Sequence, residues 1–178
     1  YLDPTTGKIV LFYLASTGFP GDPAQCTTCP MRSATEVDGS DGTQFTVDDN
    51  NRILISQTTD PDIFYDGSQY ILYLSKGAQV IVTTSSSLKG SYTKVSTLSD
   101  GVLTTAGGIP AGHYDAATGK YWTYLHNTTS PSLIKRAIHS DFSRTLTDAD
   151  FSTVISGATY SGLTATISVQ SPGFAVNQ

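Results

Sequence analysis

Short apolar runs recur along the chain, each bounded by Asp, Gly, Ser or Lys. Three stand out: Ile9-Val10-Leu11-Phe12-Tyr13-Leu14, Tyr70-Ile71-Leu72-Tyr73-Leu74 and Tyr121-Trp122-Thr123-Tyr124-Leu125. They are too short for a globular helix and rich in aromatic and β-branched residues, so they predict strands buried on both faces. Each follows the same turn chemistry: Tyr1-Leu2-Asp3-Pro4-Thr5-Thr6-Gly7-Lys8, Phe64-Tyr65-Asp66-Gly67-Ser68-Gln69 and His113-Tyr114-Asp115-Ala116-Ala117-Thr118-Gly119-Lys120. An Asp side chain can accept from amides two residues on, and Gly takes up positive φ at no steric cost. The pattern predicts three antiparallel hairpins centred on Asp3, Asp66 and Asp115.

Each hairpin continues into further strand-like sequence. The second copy has Gln79–Ser85 and then Ser87–Tyr92, the third has Leu133–Phe142, and the first has Met31–Gly39 and then Asp41–Thr46. A hairpin followed by a third strand, a polar turn and an outer strand is a four-stranded antiparallel blade, and radially repeated blades make a β-propeller. The expected fold is therefore all-β, a single propeller domain of three blades. Blade 1 takes residues 171–178 plus 1–57, blade 2 takes 58–106 and blade 3 takes 107–170. The first copy begins at its turn and lacks an innermost strand, while Ser171-Pro172-Gly173-Phe174-Ala175-Val176 reads as an orphan strand start. The C-terminal strand is thus expected to complete blade 1. A closed three-blade ring, half of a six-blade ring made by two chains, and part of a longer propeller all stay open. Of helix, only a single turn at Asp148–Phe151 is expected.

Across 178 residues there are 15 acids against 10 bases, a net charge of −5, and charged residues make up only 14%. That balance gives no electrostatic footprint for nucleic acid or an anionic membrane surface. No apolar run approaches the roughly 18–20 residues of a spanning helix. Few lysines, abundant Ser and Thr and one glycosylation sequon at Asn127-Thr128-Thr129 suit an extracellular, secreted protein.

The second copy, from Asp60-Pro61-Asp62 through Ser87-Leu88-Lys89-Gly90-Ser91-Tyr92, resembles a blade of the five-bladed glycoside hydrolase propellers, family 43 and its relatives. The Asp-Pro strand opening, the Tyr70-Ile71-Leu72-Tyr73 strand and the Ser-Leu-x-Gly-x-aromatic turn carry the likeness. Ile109-Pro110 and Thr118-Gly119-Lys120-Tyr121-Trp122 fit the same pattern in the third copy. The resemblance is one of blade pattern. It implies cleavage of arabinosyl, xylosyl or fructosyl linkages by a base Asp on an innermost strand, a second Asp and an acid Glu. Asp62, or its neighbour Asp60, matches the base by position. Glu36 is the only Glu and is expected on the opposite rim, whereas an inverting pair needs carboxyls roughly 6.5–9.5 Å apart.

The residues themselves offer a short set of candidates. Asp60 and Asp62 could divide acid and base roles, or Asp60–Asp62 could simply cap a strand-opening turn beside Pro61. His113 is either a proton shuttle in a channel or a structural imidazole. Asp22, His126 and Tyr114 are the candidate substrate contacts; Tyr114, Tyr121 and Trp122 could stack on sugar rings or pack in the core. No metal-ligand spacing and no cofactor motif is present. Cys26-Thr27-Thr28-Cys29 lacks the βαβ context of a thioredoxin site and the second Cys pair of a zinc site, which leaves a local disulfide or two free thiols. The expected partner is a carbohydrate or other small molecule, with the chain a monomer or homodimer. Two functions remain: a glycosidase-like hydrolase centred on Asp62 and His113, narrowly preferred, and a non-catalytic glycan-binding or scaffold propeller.

Overall fold

The computed structural model describes residues 1–15, 30–48, 53–55, 58–127, 133–161 and 164–169. They form three antiparallel sheets, each built from one contiguous stretch of chain. Sheet 1 contains β1 (Val10–Leu14), β2 (Pro30–Glu36), β3 (Phe45–Val47) and β4 (Ile53–Leu54), with β3 and β4 both pairing β2. Sheet 2 runs β5 (Thr59–Tyr65), β6 (Tyr70–Lys76), β7 (Gln79–Ser85) and β8 (Thr93–Lys94), and β9 (Val102–Thr104) also pairs β7. Sheet 3 runs β10 (Gly108–Asp115), β11 (Lys120–Asn127), β12 (Leu133–His139), β13 (Ser152–Ser161) and β14 (Thr164–Val169). The chain is all-β, and among the described residues no helix is long and apolar enough to cross a membrane.

The three turns use the expected carboxylates. Asp3 Oδ1 accepts the Thr5 amide, Asp66 Oδ1 accepts those of Ser68 and Gln69, and Asp115 Oδ1 accepts that of Ala117, all at 2.9–3.0 Å. Gly7, Gly67 and Gly119 supply the positive φ that closes the turns. Among the described residues, Tyr1 and Leu2 are all that pairs with the free edge of β1 in sheet 1. Tyr1 and Val10 exchange backbone bonds at 2.8–2.9 Å, and Leu2 bridges Ile9.

Strand alternation explains the core. In β6, Tyr70, Leu72 and Leu74 face sheet 1, where they meet Val10, Phe12, Leu14 and Met31. Ile71 and Tyr73 face sheet 3, where they meet Leu125, Ala137 and Phe142. Sheet 2 therefore has both faces covered, which is why β6 is buried from Tyr70 through Ser75. Seen from the middle sheet, the stack has a repeated grammar of a front and a back on each sheet.

Two expectations change. Sheet 3 has five strands where four were expected, because the Ser152–Ser156 run continues through Thr159 and Tyr160 and returns as Thr164–Val169. β-Branched residues recur through that whole segment and sustain a second hairpin. In sheet 2 the outer strand expected at Ser87–Tyr92 is instead turn and irregular backbone, and the outer lane is made by β8 and β9 on either side of a 3-10 turn at Ser99–Gly101. A 3-10 turn forms at Asp148–Asp150, where Thr147 and Asp150 make a reciprocal capping box. Residues 171–178, expected to close blade 1, lie outside the described residues.

Candidate functional site

The innermost strands β5 and β10 open in the same unusual way. Register breaks between Thr59 and Asp62 and again between Gly108 and Ala111, so Asp60-Pro61 and Ile109-Pro110 form matching bulges. Asp60 and Ile109 both take φ of 50°. Left-handed backbone is costly for L-residues, and more so for a β-branched one before proline. Strain of this kind persists only where the surroundings hold it, and it gathers at binding sites.

The bulges flank a cleft of about 280 Å³ lined by Thr59, Asp60, Ser75, Gly108, Ile109 and His126 among others. Gly108 lets sheets 2 and 3 approach closely here, and Gly107 packs against β11 of its own sheet. A Cβ on Gly107 would stand 2.5 Å from the His126 carbonyl, and one on Gly108 would stand 2.7 Å from Ser75 Oγ. Ser75 Oγ accepts the Ile109 amide at 3.1 Å, which joins the end of β6 to the start of β10. Asp60 is exposed, and its Oδ2 accepts the Thr59 hydroxyl at 2.7 Å. His126 Nδ1 is buried and has no hydrogen-bond partner among the described residues.

Asp62 is placed otherwise. Its Oδ2 accepts the Gly112 amide at 2.6 Å, so the carboxylate of β5 satisfies the free edge of β10. Burial raises its pKa above the usual carboxylate range, against the opposing pull of the Gly112 and Ile63 amides. Glu36 is spent at the hairpin end of sheet 1, where Oε2 accepts the Ile9 amide at 2.9 Å and Oε1 that of Gly42 at 2.7 Å.

His113 is exposed and stands opposite Trp122 in register, on the face of sheet 3 turned away from sheet 2. Tyr114 packs on Tyr121 at 5.0 Å as part of the core between sheets 2 and 3. Of the sequence candidates, Asp60 and His126 therefore meet at the cleft, Asp62 lies beside it between strands, and His113 and Tyr114 are elsewhere. Asp22, Cys26 and Cys29 lie outside the described residues. Thr59, Ser75 and Ile109 were not among the candidates, although the repeated X-Pro dipeptides at 60–61 and 109–110 marked the place.

Among the described residues no group of three His, Cys, Asp or Glu could hold a metal. The chain matches no family model and no curated protein. Chemically, the cleft offers one exposed carboxylate, hydroxyl oxygens, the His126 ring and the apolar surface of Ile109.

Proposed function

We propose that the three sheets are blades of a propeller-type module, and that the module binds a neutral carbohydrate in the cleft between the Asp60 and Ile109 bulges. The observation that carries this reading is a single cleft lined by the exposed Asp60 carboxylate, the Thr59 and Ser75 side chains, His126 and the apolar Ile109. A sugar supplies what such a lining lacks: vicinal hydroxyls for the carboxylate, and a C–H face for Ile109. Concave sites with a few convergent polar groups on an apolar wall are the usual form of small-molecule sites. The extracellular location expected from composition suits a glycan ligand.

Calorimetric titration with neutral mono- and oligosaccharides tests the reading. The parent protein should bind, and Asp60→Asn, which keeps a residue tolerant of left-handed backbone, should weaken binding at least about tenfold, as for loss of a hydrogen bond to a charged group. Absence of binding to every neutral saccharide, or unchanged affinity in Asp60→Asn, would overturn it.

One observation favours the hydrolytic alternative. The raised pKa of Asp62 would suit a general acid. Against it, Oδ2 already holds Gly112, and Glu36 is committed to sheet 1. Turnover of an arabinosyl, xylosyl or fructosyl substrate that Asp62→Asn abolishes would establish catalysis over simple binding.

A further inference from the structure

The chain holds four Asp-Gly pairs: Asp38-Gly39, Asp41-Gly42, Asp66-Gly67 and Asp100-Gly101. Such a pair can rearrange without any partner. The glycine amide nitrogen attacks the aspartate Cγ, a C–N bond forms, and the amide proton leaves with the carboxyl hydroxyl as one water. A second water then reopens the cyclic imide. Opening at the side-chain carbonyl restores aspartate. Opening at the main-chain carbonyl gives isoaspartate, with the chain now running through the former side chain. Glycine favours the reaction because no Cβ shields its nitrogen or restricts its backbone. What remains necessary is a carboxyl free to turn and an amide nitrogen not already committed as a donor.

The four pairs differ on both counts. Asp66 is buried, with the Ser68 and Gln69 amides on one oxygen and the Tyr121 hydroxyl on the other. Gly101 is buried in its 3-10 turn, where its amide donates to the Leu98 carbonyl at 3.2 Å, and Lys94 holds the Asp100 carboxylate. Asp41 is exposed, but the Gly42 amide donates to Glu36 Oε1 at 2.7 Å. Asp38-Gly39 is different. The Asp38 side chain is 86% exposed, and a Cβ built on Gly39 would meet nothing within 4 Å. The Gly39 amide has no hydrogen-bond partner among the described residues. The Asp38 carboxylate pairs with Lys8 Nζ at 2.8 Å, an exposed ion pair of the kind that adds little and releases its carboxyl readily.

We infer that Asp38-Gly39 is a modification site of the folded protein, where aspartate converts to isoaspartate through a cyclic imide while the other three pairs are protected. The product inserts one extra backbone carbon into the turn that the Ser40 amide and Val37 carbonyl close at 3.1 Å. It also shortens the arm that carries the carboxylate to Lys8. The inference is independent of the carbohydrate reading, since this turn joins β2 to β3 in sheet 1 and the cleft lies between sheets 2 and 3.

Prolonged incubation of the intact chain at neutral pH, native and in guanidinium chloride, tests it. Peptide mapping with electron-transfer fragmentation locates isoaspartate, which has the mass of aspartate, and the imide, which is one water lighter. In the native chain isoaspartate should form at Asp38 at least about tenfold faster than at Asp41, Asp66 or Asp100, the margin expected when reaction must first break a hydrogen bond to a charged group or open the local fold. In denaturant the four rates should draw together. Asp38→Glu keeps the charge but would have to close a larger ring, so it should lose the product at this position while melting like the parent. A native chain in which Asp38 stays unchanged, or in which any of the other three keeps pace with it, would overturn the inference. So would a tenfold preference for Asp38 that persists in denaturant, which would assign it to sequence and not to the fold.

Discussion

The Tyr121 hydroxyl donates to Asp66 Oδ2 at 2.7 Å, so the carboxylate that shapes the hairpin of sheet 2 also anchors a strand of sheet 3. Asp66 takes the Ser68 and Gln69 amides on its other oxygen. Burial works to raise its pKa, but the Tyr121 hydroxyl and the two amides prevail, and the carboxyl titrates below its ordinary value of 3.8.

Asp66→Ala leaves the Tyr121 and Ser68 hydroxyls and two amides without their acceptor and should cost about 2–3 kcal/mol by urea titration. Tyr121→Phe removes one donor only and should cost about 1 kcal/mol. Because the folded pKa is depressed, the Asp66 contribution is complete above the unfolded value and is lost as pH falls through the folded one. The gap between parent and Asp66→Ala should therefore narrow below about pH 4.

Asp62 has the opposite sign. Its folded pKa is raised, so its proton stabilises the fold below the unfolded value, and that stabilisation is lost as pH rises through the folded value. Asp62→Asn keeps an acceptor for Gly112 without a buried charge. It should melt at or above the parent at neutral pH and lose that advantage on acidification. Asp62→Ala leaves the Gly112 amide unmet and should cost about 1–3 kcal/mol. Equal melting of the two variants at neutral pH would show that the Asp62–Gly112 bond is not formed in solution.

Gly112 is required by packing. A Cβ there would run into Phe64 Cε1 and stand 2.8 Å from both Phe64 Cδ1 and Tyr73 Cε2. Those rings pack edge to face at 5.2 Å in the core between sheets 2 and 3 and have no room to yield. Gly112→Ala should destabilise by about 1–3 kcal/mol, the range for overpacking a filled core. Denaturant melts of this variant beside Ala111→Gly, at an exposed neighbour, separate packing from a general effect on β10.

His139 anchors a buried chain of hydrogen bonds. Its Nδ1 donates to the Asp141 carbonyl at 2.8 Å, which leaves neutral Nε2 to accept from Thr123 Oγ1 at 2.9 Å. Thr123 in turn accepts the Tyr73 hydroxyl at 2.8 Å, linking sheet 2 to sheet 3. Burial lowers the His139 pKa below 6.5, outweighing the Asp141 carbonyl. The folded state therefore favours the neutral ring, and stability falls as pH drops below 6.5 towards the folded value. The melting temperature should decline between about pH 7 and about pH 5, and in His139→Gln that slope should flatten. A slope unchanged by the substitution would remove His139 as its source.

The sequence by itself determined the three hairpins and the all-β class. The Asp-to-amide bonds at Asp3, Asp66 and Asp115 span two or three residues, and alternation along Tyr70–Leu74 declares a strand with two buried faces without reference to anything distant. The extra hairpin of sheet 3 was legible only as strand-forming residues, because which strand they pair is a non-local choice. The site was less legible still. Asp62 reads as a free carboxylate until Gly112, 50 residues on, is placed 2.6 Å away. His126 reads as one histidine among three until Asp60 and Ile109 are brought round it. Only the tertiary structure decided these matters, because a carboxylate or imidazole acquires its role from the donors, rings and solvent that other sheets bring to it. Those partners are set by how the sheets stack, whereas a turn carries its partners in its own few residues.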